Sequence, residues 1–231
     1  MAGIKEKRFT VSNVAAALLL TLFLFSFAVT FTLNFRPLYY FNIAWLDIPS
    51  ASGLSPEEIK ANYDALISYN SIFARGALEF PTLPMSESGR VHFAEVKDIF
   101  VAIQALMVVS LAAGAAACAL KLRKKRTAFL RIGAVCPLVL TIAIGALIAT
   151  NWTSFFVAFH KVFFDNDLWI FDSRTDPVIE LLPDAFFLEC ALMILLLIVV
   201  GSVIFGVIGY RLGRRFKKEN PPLAASRTDR P

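Results

Sequence analysis

The residues best suited to chemistry in this chain are His92 and His160, which are its only two histidines. His92 lies in VHFAEVKDIF and His160 lies in FHKVFFDNDLWIFDSRTDP, so acidic and aromatic side chains surround both of them. A histidine titrates near neutral pH and can accept a proton at one ring nitrogen while it donates from the other. Two histidines at one place could therefore act as the base and the acid of a proton-transfer reaction.

Polar side chains near the histidines are candidate supporting or substrate-binding groups. Glu95 follows His92 by three residues, so the two side chains would share one face of a helix. The candidates after His160 are Asp165, Asn166, Asp167, Trp169 and Asp172. Asp172 could instead make an Asx turn. Asp176 precedes a proline and is typical of an N-cap, here for the short helix VIELL.

Several other kinds of site lack a motif in this sequence. The D-N-D triplet has neither the spacing nor the glycine of a calcium loop, and no glycine-rich phosphate loop or G-x-S-x-G elbow occurs. The three cysteines, Cys118, Cys136 and Cys190, fall in or beside apolar runs without C-x-x-C spacing, and there is no H-x-x-x-H pair. A disulfide framework, a zinc site and a calcium site are therefore not expected.

The composition indicates that a bilayer surrounds much of the chain. Hydrophobic residues make up 57% of the 231 residues, phenylalanine alone accounts for 22, and the mean hydropathy is +0.64. A spanning helix needs roughly 20 mostly apolar residues. Runs of this kind occur at residues 11–33, 99–120, 132–152 and 185–210. The sequence predicts an all-α membrane protein, a bundle of four transmembrane helices in a single integral membrane domain over residues 1–231.

Basic residues predict which ends of the helices face the cytoplasm. Lys and Arg collect in cytoplasmic loops, and they predominate in the N-terminal tail, in the loop 121–131 and in the tail 211–231. The loops 34–98 and 151–184 carry a surplus of acids, so both are expected outside and both termini inside. The run KLRKKR favours an anchor at lipid headgroups over a nucleic-acid site. The first apolar run exceeds the ~7–15 residues of the apolar h-region of a signal peptide and is expected to be retained.

The two outer loops are predicted to cover the outer face of the bundle. The 65-residue loop 34–98 contains S-P-E-E at residues 55–58, the pattern of a helix start with a capping box. The amphipathic helix that follows has Phe73 in its apolar stripe and is expected to end near Gly76. It would either lie on the outer leaflet or pack on top of the bundle. The shorter loop 151–184 is rich in phenylalanine, which suits a lipid-like ligand.

Counting along the predicted helices places both histidines at the outer membrane interface. If the second helix begins before Val91, His92 lies seven residues above Ile99, or roughly 10 Å along the axis at ~1.5 Å per residue. His160 follows the third apolar run after a further charge-free stretch, so it also lies just beyond the hydrocarbon. Two independent counts therefore place the histidines at a similar depth.

The segments around the histidines resemble motifs of the lipoprotein intramolecular transacylases, a family of small four-span bacterial membrane proteins called Lit. The resemblance includes VHFAEVKDIF before the second span and FHKVFFDNDLWIFDSRTDPVIELLPDAFF before the fourth, and it extends to the length and the spans. The first family motif usually reads H-x-x-D-V-K, and this sequence has Glu95 where aspartate is common.

The resemblance implies a cofactor-independent acyltransferase at the outer face of the bacterial cytoplasmic membrane. Such an enzyme moves the sn-2 acyl chain of the diacylglyceryl group to the α-amino group of the lipoprotein N-terminal cysteine, giving the lyso form. Its partners would be the diacylated N-terminal lipopeptide and membrane lipid. His92 and His160 would be the catalytic acid and base, in an order left open, and Glu95 or an aspartate of the D-N-D cluster would orient one of them. Asn166 or a backbone N–H could stabilise the oxyanion.

Two alternatives are compatible with the same residues. One is a non-catalytic membrane protein that assists assembly or senses lipid or pH through its histidines. The other is a metal-dependent membrane hydrolase that uses both histidines together with Asp165 or Asp167. An assay for lyso-lipoprotein distinguishes the first from a transacylase, and a chelator distinguishes the second.

Overall fold

The computed structural model describes residues 9–219, which fold into nine α-helices without a β-strand. The helices are α1 (Val11–Asn34), α2 (Arg36–Trp45), α3 (Ile48–Ser52), α4 (Pro56–Tyr69), α5 (Glu87–Arg123), α6 (Ala128–Thr150), α7 (Trp152–Phe163), α8 (Val178–Leu181) and α9 (Asp184–Glu219). Within this part of the chain, α1, α5, α6 and α9 are long and apolar enough to cross a membrane. The prediction of an all-α membrane protein with four spanning helices is confirmed. The basic N-terminal residues and the tail from residue 220 lie outside the described residues, and the orientation of the helices stays a prediction.

The four long helices form one bundle in which α1 contacts α5, α6 and α9, while α6 also packs along α9. Small residues allow these close approaches. Gly201 of α9 lies directly against Leu24 of α1, and a side chain at position 201 would collide with it. Because lipid offers no hydrophobic drive for helices to associate, close packing at small residues is a main source of contact in such bundles.

Helix α5 is longer than a span requires, which matters for the position of His92. Its 37 residues correspond to about 55 Å at ~1.5 Å per residue, whereas the hydrocarbon core is about 30 Å thick. The predicted apolar run 99–120 lies in the later part of the helix, so the first turns of α5 extend beyond it.

A helical cap, made of α2, α3, α4, α8 and the segment 70–86, packs over one end of the bundle around its own hydrophobic core. In this core the ring of Tyr39 stacks on that of Tyr63 with centroids 3.6 Å apart, and the edge of Phe186 meets the ring of Tyr39 at 5.1 Å. The Tyr39 hydroxyl donates to the carbonyl oxygen of Leu181 at 2.8 Å, which ties α2 to α8. The apolar side of α4 is therefore buried in the cap rather than laid on a leaflet.

Helix α4 begins as predicted but ends earlier. The capping box is present, because Ser55 Oγ accepts the Glu58 N–H and Glu58 Oε2 accepts the Ser55 N–H. The expected end near Gly76 is wrong, since α4 stops at Tyr69 and Phe73 is 87% exposed.

A tertiary interaction explains the early end of α4. The amide of Gln104, on α5, donates to the Asn70 carbonyl oxygen at 2.8 Å and accepts the Ile72 N–H at 3.1 Å. These bonds satisfy backbone groups that a longer α4 would have paired internally. The side chain of Gln104, 34 residues after Asn70, thus provides the hydrogen bonds that another turn of α4 would have made.

Candidate active site

His92 lies on the second turn of α5, against aromatic rings of the loop that follows α7. Helix α5 begins after Ser86, whose Oγ accepts the Gly89 N–H at 3.0 Å as an N-cap. The His92 side chain is buried, with its ring centroid 4.8 Å from that of Phe164 and 5.4 Å from that of Phe171. Its Nδ1 is buried and has no hydrogen-bond partner within residues 9–219. A buried imidazole nitrogen without a partner is available to a bound substrate.

His160 lies on α7, and a hydrogen bond to a backbone carbonyl sets the tautomer of its ring. The Nδ1 atom is 2.8 Å from the carbonyl oxygen of Phe156, one turn earlier. Because a carbonyl can only accept, Nδ1 carries the hydrogen in the neutral ring, and Nε2 keeps a lone pair that can take a proton. The indole of Trp169 stacks on the imidazole with centroids 4.6 Å apart. Burial among these rings lowers the pKa of His160 because the charged imidazolium loses hydration.

The structure brings the two histidines together. Their ring centroids are 6.5 Å apart although 67 residues separate them in the chain. The ring of Phe164 contacts both, with centroids 4.8 Å from His92 and 5.8 Å from His160. The result is a histidine pair in an aromatic pocket, bordered by α5, by α7 and by the loop that follows α7.

Two of the predicted supporting residues, Glu95 and Asn166, meet each other. The Asn166 Nδ2 donates to Glu95 Oε1 at 2.9 Å, and Asn166 Oδ1 accepts the Leu168 N–H at 3.0 Å. The bond to Glu95 joins α5 to the loop after α7. The second carboxylate oxygen, Glu95 Oε2, is buried and has no partner in the part of the chain that the structure describes. The hydrogen bond that orients His160 is donated by its Nδ1 to the Phe156 carbonyl oxygen and does not involve Glu95.

The three predicted aspartates are turned toward solvent. Asp165 and Asp167 are exposed, and neither carboxylate is paired within residues 9–219. Asp172 makes the Asx turn, because its Oδ1 accepts the Arg174 N–H at 3.0 Å. The hydrogen bonds from Arg174 lower the pKa of Asp172 to about 2. These side chains are on the outer surface of the loop rather than among the aromatic rings around the histidines.

The expected role of Asp176 is wrong. Helix α8 begins at Val178 with Pro177 as its N-cap residue, and no side chain caps it. The Asp176 carboxylate is instead 2% exposed and accepts the Ser86 N–H at 2.8 Å and the Thr175 hydroxyl at 2.8 Å. Asp176 therefore holds the beginning of α5. Its local sequence indicates a cap of α8 but cannot show that its hydrogen-bond partner, Ser86, lies 90 residues earlier in the chain.

Two buried indole nitrogens near His160 could not be predicted from the sequence. The indole nitrogens Nε1 of Trp169 and Trp152 are both buried without an acceptor in the described part of the chain. Trp152 is the first residue of α7. Its ring centroid lies 5.8 Å from that of Phe156, and the ring of Phe156 lies 4.2 Å from that of His160.

Among residues 9–219 no group of three His, Cys, Asp or Glu side chains is placed to hold a metal ion.

Fold and site together define an integral membrane protein of four spanning helices, with a helical cap at one end of the bundle and a pair of histidines among aromatic rings. Residues 14–187 match the family model for the lipoprotein intramolecular transacylase Lit. The chain belongs to this family. It is accordingly a membrane-bound transacylase, which is an acyltransferase.

Solved structures of a relative agree with this assignment. The chain is 37% identical to the membrane integral lipoprotein intramolecular transacylase Lit from Bacillus cereus, with a TM-score of 0.88 over 90% of this chain and 97% of that one. Two variants of the Bacillus cereus protein, with a histidine replaced by arginine or by alanine, match at 36% identity with TM-scores of 0.83 and 0.82. These matches cover 90% of this chain and 93% and 94% of theirs. No curated protein sequence is significantly similar to the chain.

Proposed function

We propose that the chain moves the sn-2 acyl chain of a diacylated lipoprotein to the α-amino group of the same N-terminal cysteine, leaving the lyso form. The observation that carries the proposal is the pairing of His92 with His160, with ring centroids 6.5 Å apart in a pocket of aromatic side chains. An ester and an amine of one molecule need only proton transfer and positioning to react. The variants of the Bacillus cereus relative show that a histidine has been singled out for substitution there.

His160 fits the role of general base. The attacking amine must lose a proton, and the hydrogen bond from Nδ1 to the Phe156 carbonyl leaves Nε2 free to accept it. The glycerol oxygen must gain a proton as it leaves. The unpartnered Nδ1 of His92 supports that acid role, since it is buried beside the same Phe164 ring. His92 gives its proton to the glycerol oxygen, and the cycle closes when the proton that His160 took from the amine passes to His92, whose ring centroid is 6.5 Å away.

Positioning supplies much of the remaining acceleration. Both reacting groups belong to one substrate, and well-oriented groups reach effective molarities worth about 7–11 kcal/mol. The bond between Asn166 and Glu95 supports this role, because it closes the loop after α7 onto α5 and so keeps the two histidine-bearing segments together.

We place the reaction at the outer face of the bacterial cytoplasmic membrane. The acidic surplus of the loops 34–98 and 151–184 and the basic loop 121–131 support this orientation. Exposed Phe159, Val162 and Phe163 on α7 would meet lipid tails or the acyl chains of the substrate. The substrate is the diacylated N-terminal lipopeptide, with membrane lipid around it and no nucleic acid involved.

Mass spectrometry tests the proposed function. The protein is produced in cells that make only diacylated lipoproteins, and the N-terminal lipopeptide of one lipoprotein is then analysed. We expect a cysteine that is N-acylated and carries a monoacylglyceryl group. A lipopeptide that stays diacylated with a free amine, although the protein is present in the membrane, contradicts the proposal.

A further inference from the structure

The proposed reaction requires a hydrogen-bond donor that the two histidines do not provide. When the amine nitrogen attacks the ester carbonyl carbon, a C–N bond forms and the carbonyl electron pair moves to oxygen. The pair then returns, the bond to the glycerol oxygen breaks, and that oxygen takes the proton which the amine gave up. The tetrahedral oxyanion between these steps needs a donor that is already in place.

Asn166 was the side chain that the sequence offered for this role, and the structure gives it another. Its Nδ2 donates to Glu95 Oε1 at 2.9 Å, and its Oδ1 accepts the Leu168 N–H at 3.0 Å. Both ends of the amide are thus used to hold the loop. Another donor near His160 has no hydrogen-bond partner at all within residues 9–219.

The indole of Trp169 has such a donor. Its Nε1 is buried and has no acceptor within residues 9–219. The ring lies over His160, with centroids 4.6 Å apart and planes inclined by 28°. A buried N–H group without an acceptor is rare in proteins because it loses its hydrogen bond to water without replacement. Such an N–H gains its missing hydrogen bond when a negative oxygen reaches it.

We propose that the Nε1–H of Trp169 donates to the oxyanion of the sn-2 ester carbonyl. This inference rests on the proposed transacylase reaction and adds a catalytic residue to it. The stacking keeps the indole that bears the donor against the imidazole that bears the base. Because Nε1 is covered in the free protein, substrate entry must shift the surrounding rings to expose the N–H.

The other two tryptophans provide comparisons for this inference. Trp152 also has a buried Nε1 without an acceptor, but its ring contacts Phe155 and Phe156, not His160. Trp45, on α2, is 68% exposed and stacks only on Phe41. Phenylalanine at each position keeps an aromatic ring and removes the N–H. The same chemical change can therefore be made beside the base, one ring away from it, and on the surface.

The experiment uses the full-length protein in detergent with a synthetic diacylated lipopeptide. We expect Trp169→Phe to lower kcat by about 10²- to 10³-fold with little change in KM, since the lost bond exists only in the transition state. Trp45→Phe should match the unaltered protein, and Trp152→Phe should lose less than Trp169→Phe. A Trp169→Phe variant with kcat within about twofold of the unaltered protein, or with a loss in KM alone, overturns the inference. An inactive unaltered protein would instead contradict the proposed function.

A second measurement does not depend on the folding of that variant. The chain has three tryptophans, so ¹⁵N-labelling gives three indole N–H signals, which Trp45→Phe and Trp152→Phe assign by elimination. The ligand is a lipopeptide with a phosphonate in place of the sn-2 ester, whose anionic oxygen imitates the oxyanion. We expect the Trp169 signal to move downfield on binding. An unmoved Trp169 signal with the phosphonate bound overturns the inference.

Discussion

The carboxylate of Asp176 packs directly against Gly89 and fills the space that a Cβ atom at position 89 would need. Gly89 lies in the first turn of α5, three residues before His92. The same carboxylate accepts the Ser86 N–H at 2.8 Å, so a negative charge lies at the positive end of the helix dipole. The loop that follows the His160 helix thus fixes the beginning of the helix that carries His92.

Replacing Gly89 by alanine should destabilise the protein, because the new methyl group would displace a buried carboxylate. We expect a loss of about 1–3 kcal/mol in the free energy of unfolding, measured by denaturant or thermal unfolding in detergent. Gly114→Ala is the matched control on the same helix, since a Cβ there meets Leu20 Cδ2 at an ordinary 3.7 Å. Equal stability of the two variants would contradict the packing described for Asp176.

The pKa of His160 should lie below its ordinary value of 6.5. Burial disfavours the imidazolium, so the neutral ring that serves as a base persists below that pH and is lost only as the pH falls through the lowered pKa. With two histidines in the chain, ¹⁵N-histidine labelling gives two sets of ring signals, and His92→Ala leaves only those of His160. A titration midpoint at or above 6.5 would show that the pocket does not favour the neutral base.

The bridge between Glu95 and Asn166 should contribute to kcat as a unit. We expect Glu95→Ala and Asn166→Ala each to lower kcat and the double variant to lose clearly less than the product of the two factors, with a coupling energy of about 0.5–3 kcal/mol. Asp165→Asn serves as the control, because that carboxylate is exposed. Multiplicative losses in the double variant would mean that the two side chains act independently.

Chelation should leave the activity unchanged. The proposed mechanism uses proton transfer by two imidazoles, positioning and hydrogen bonding, and no step of it requires a Lewis acid. The purified protein is incubated with a strong chelator, dialysed, and assayed with the lipopeptide alongside an untreated sample. An activity that disappears on chelation and returns with added Zn²⁺ would favour the metal-dependent hydrolase instead.

The sequence predicts those features of the fold and the site that follow from residue spacing within one segment of the chain. Helical spacing and the capping box at Ser55 define the start of α4, and counting residues above the apolar runs places the two histidines at a similar depth. The end of α4 could not be predicted in this way, because Gln104 of another helix pairs with the Asn70 carbonyl.

Asp176 is a second residue whose partner could not be predicted from its local sequence. Its local sequence, with a proline next in the chain, is that of a helix cap, but its carboxylate accepts the N–H of Ser86, the N-cap residue of α5. Contacts between segments far apart in sequence leave no periodic trace. The unpartnered indole nitrogen of Trp169 belongs to the same class, since only the folded pocket shows that it lacks an acceptor.

The central claim is that His92 and His160 perform the acyl transfer together, and the most direct test compares His92→Ala, His160→Ala and the double variant. Each purified protein is given the diacylated lipopeptide, and the N-acylated product is quantified by mass spectrometry, with membrane accumulation and thermal unfolding as controls. We predict that each single variant folds and has at most a residual rate, and that the double variant is no worse than either, because the two imidazoles act as one unit. Full activity in either folded single variant would contradict the account.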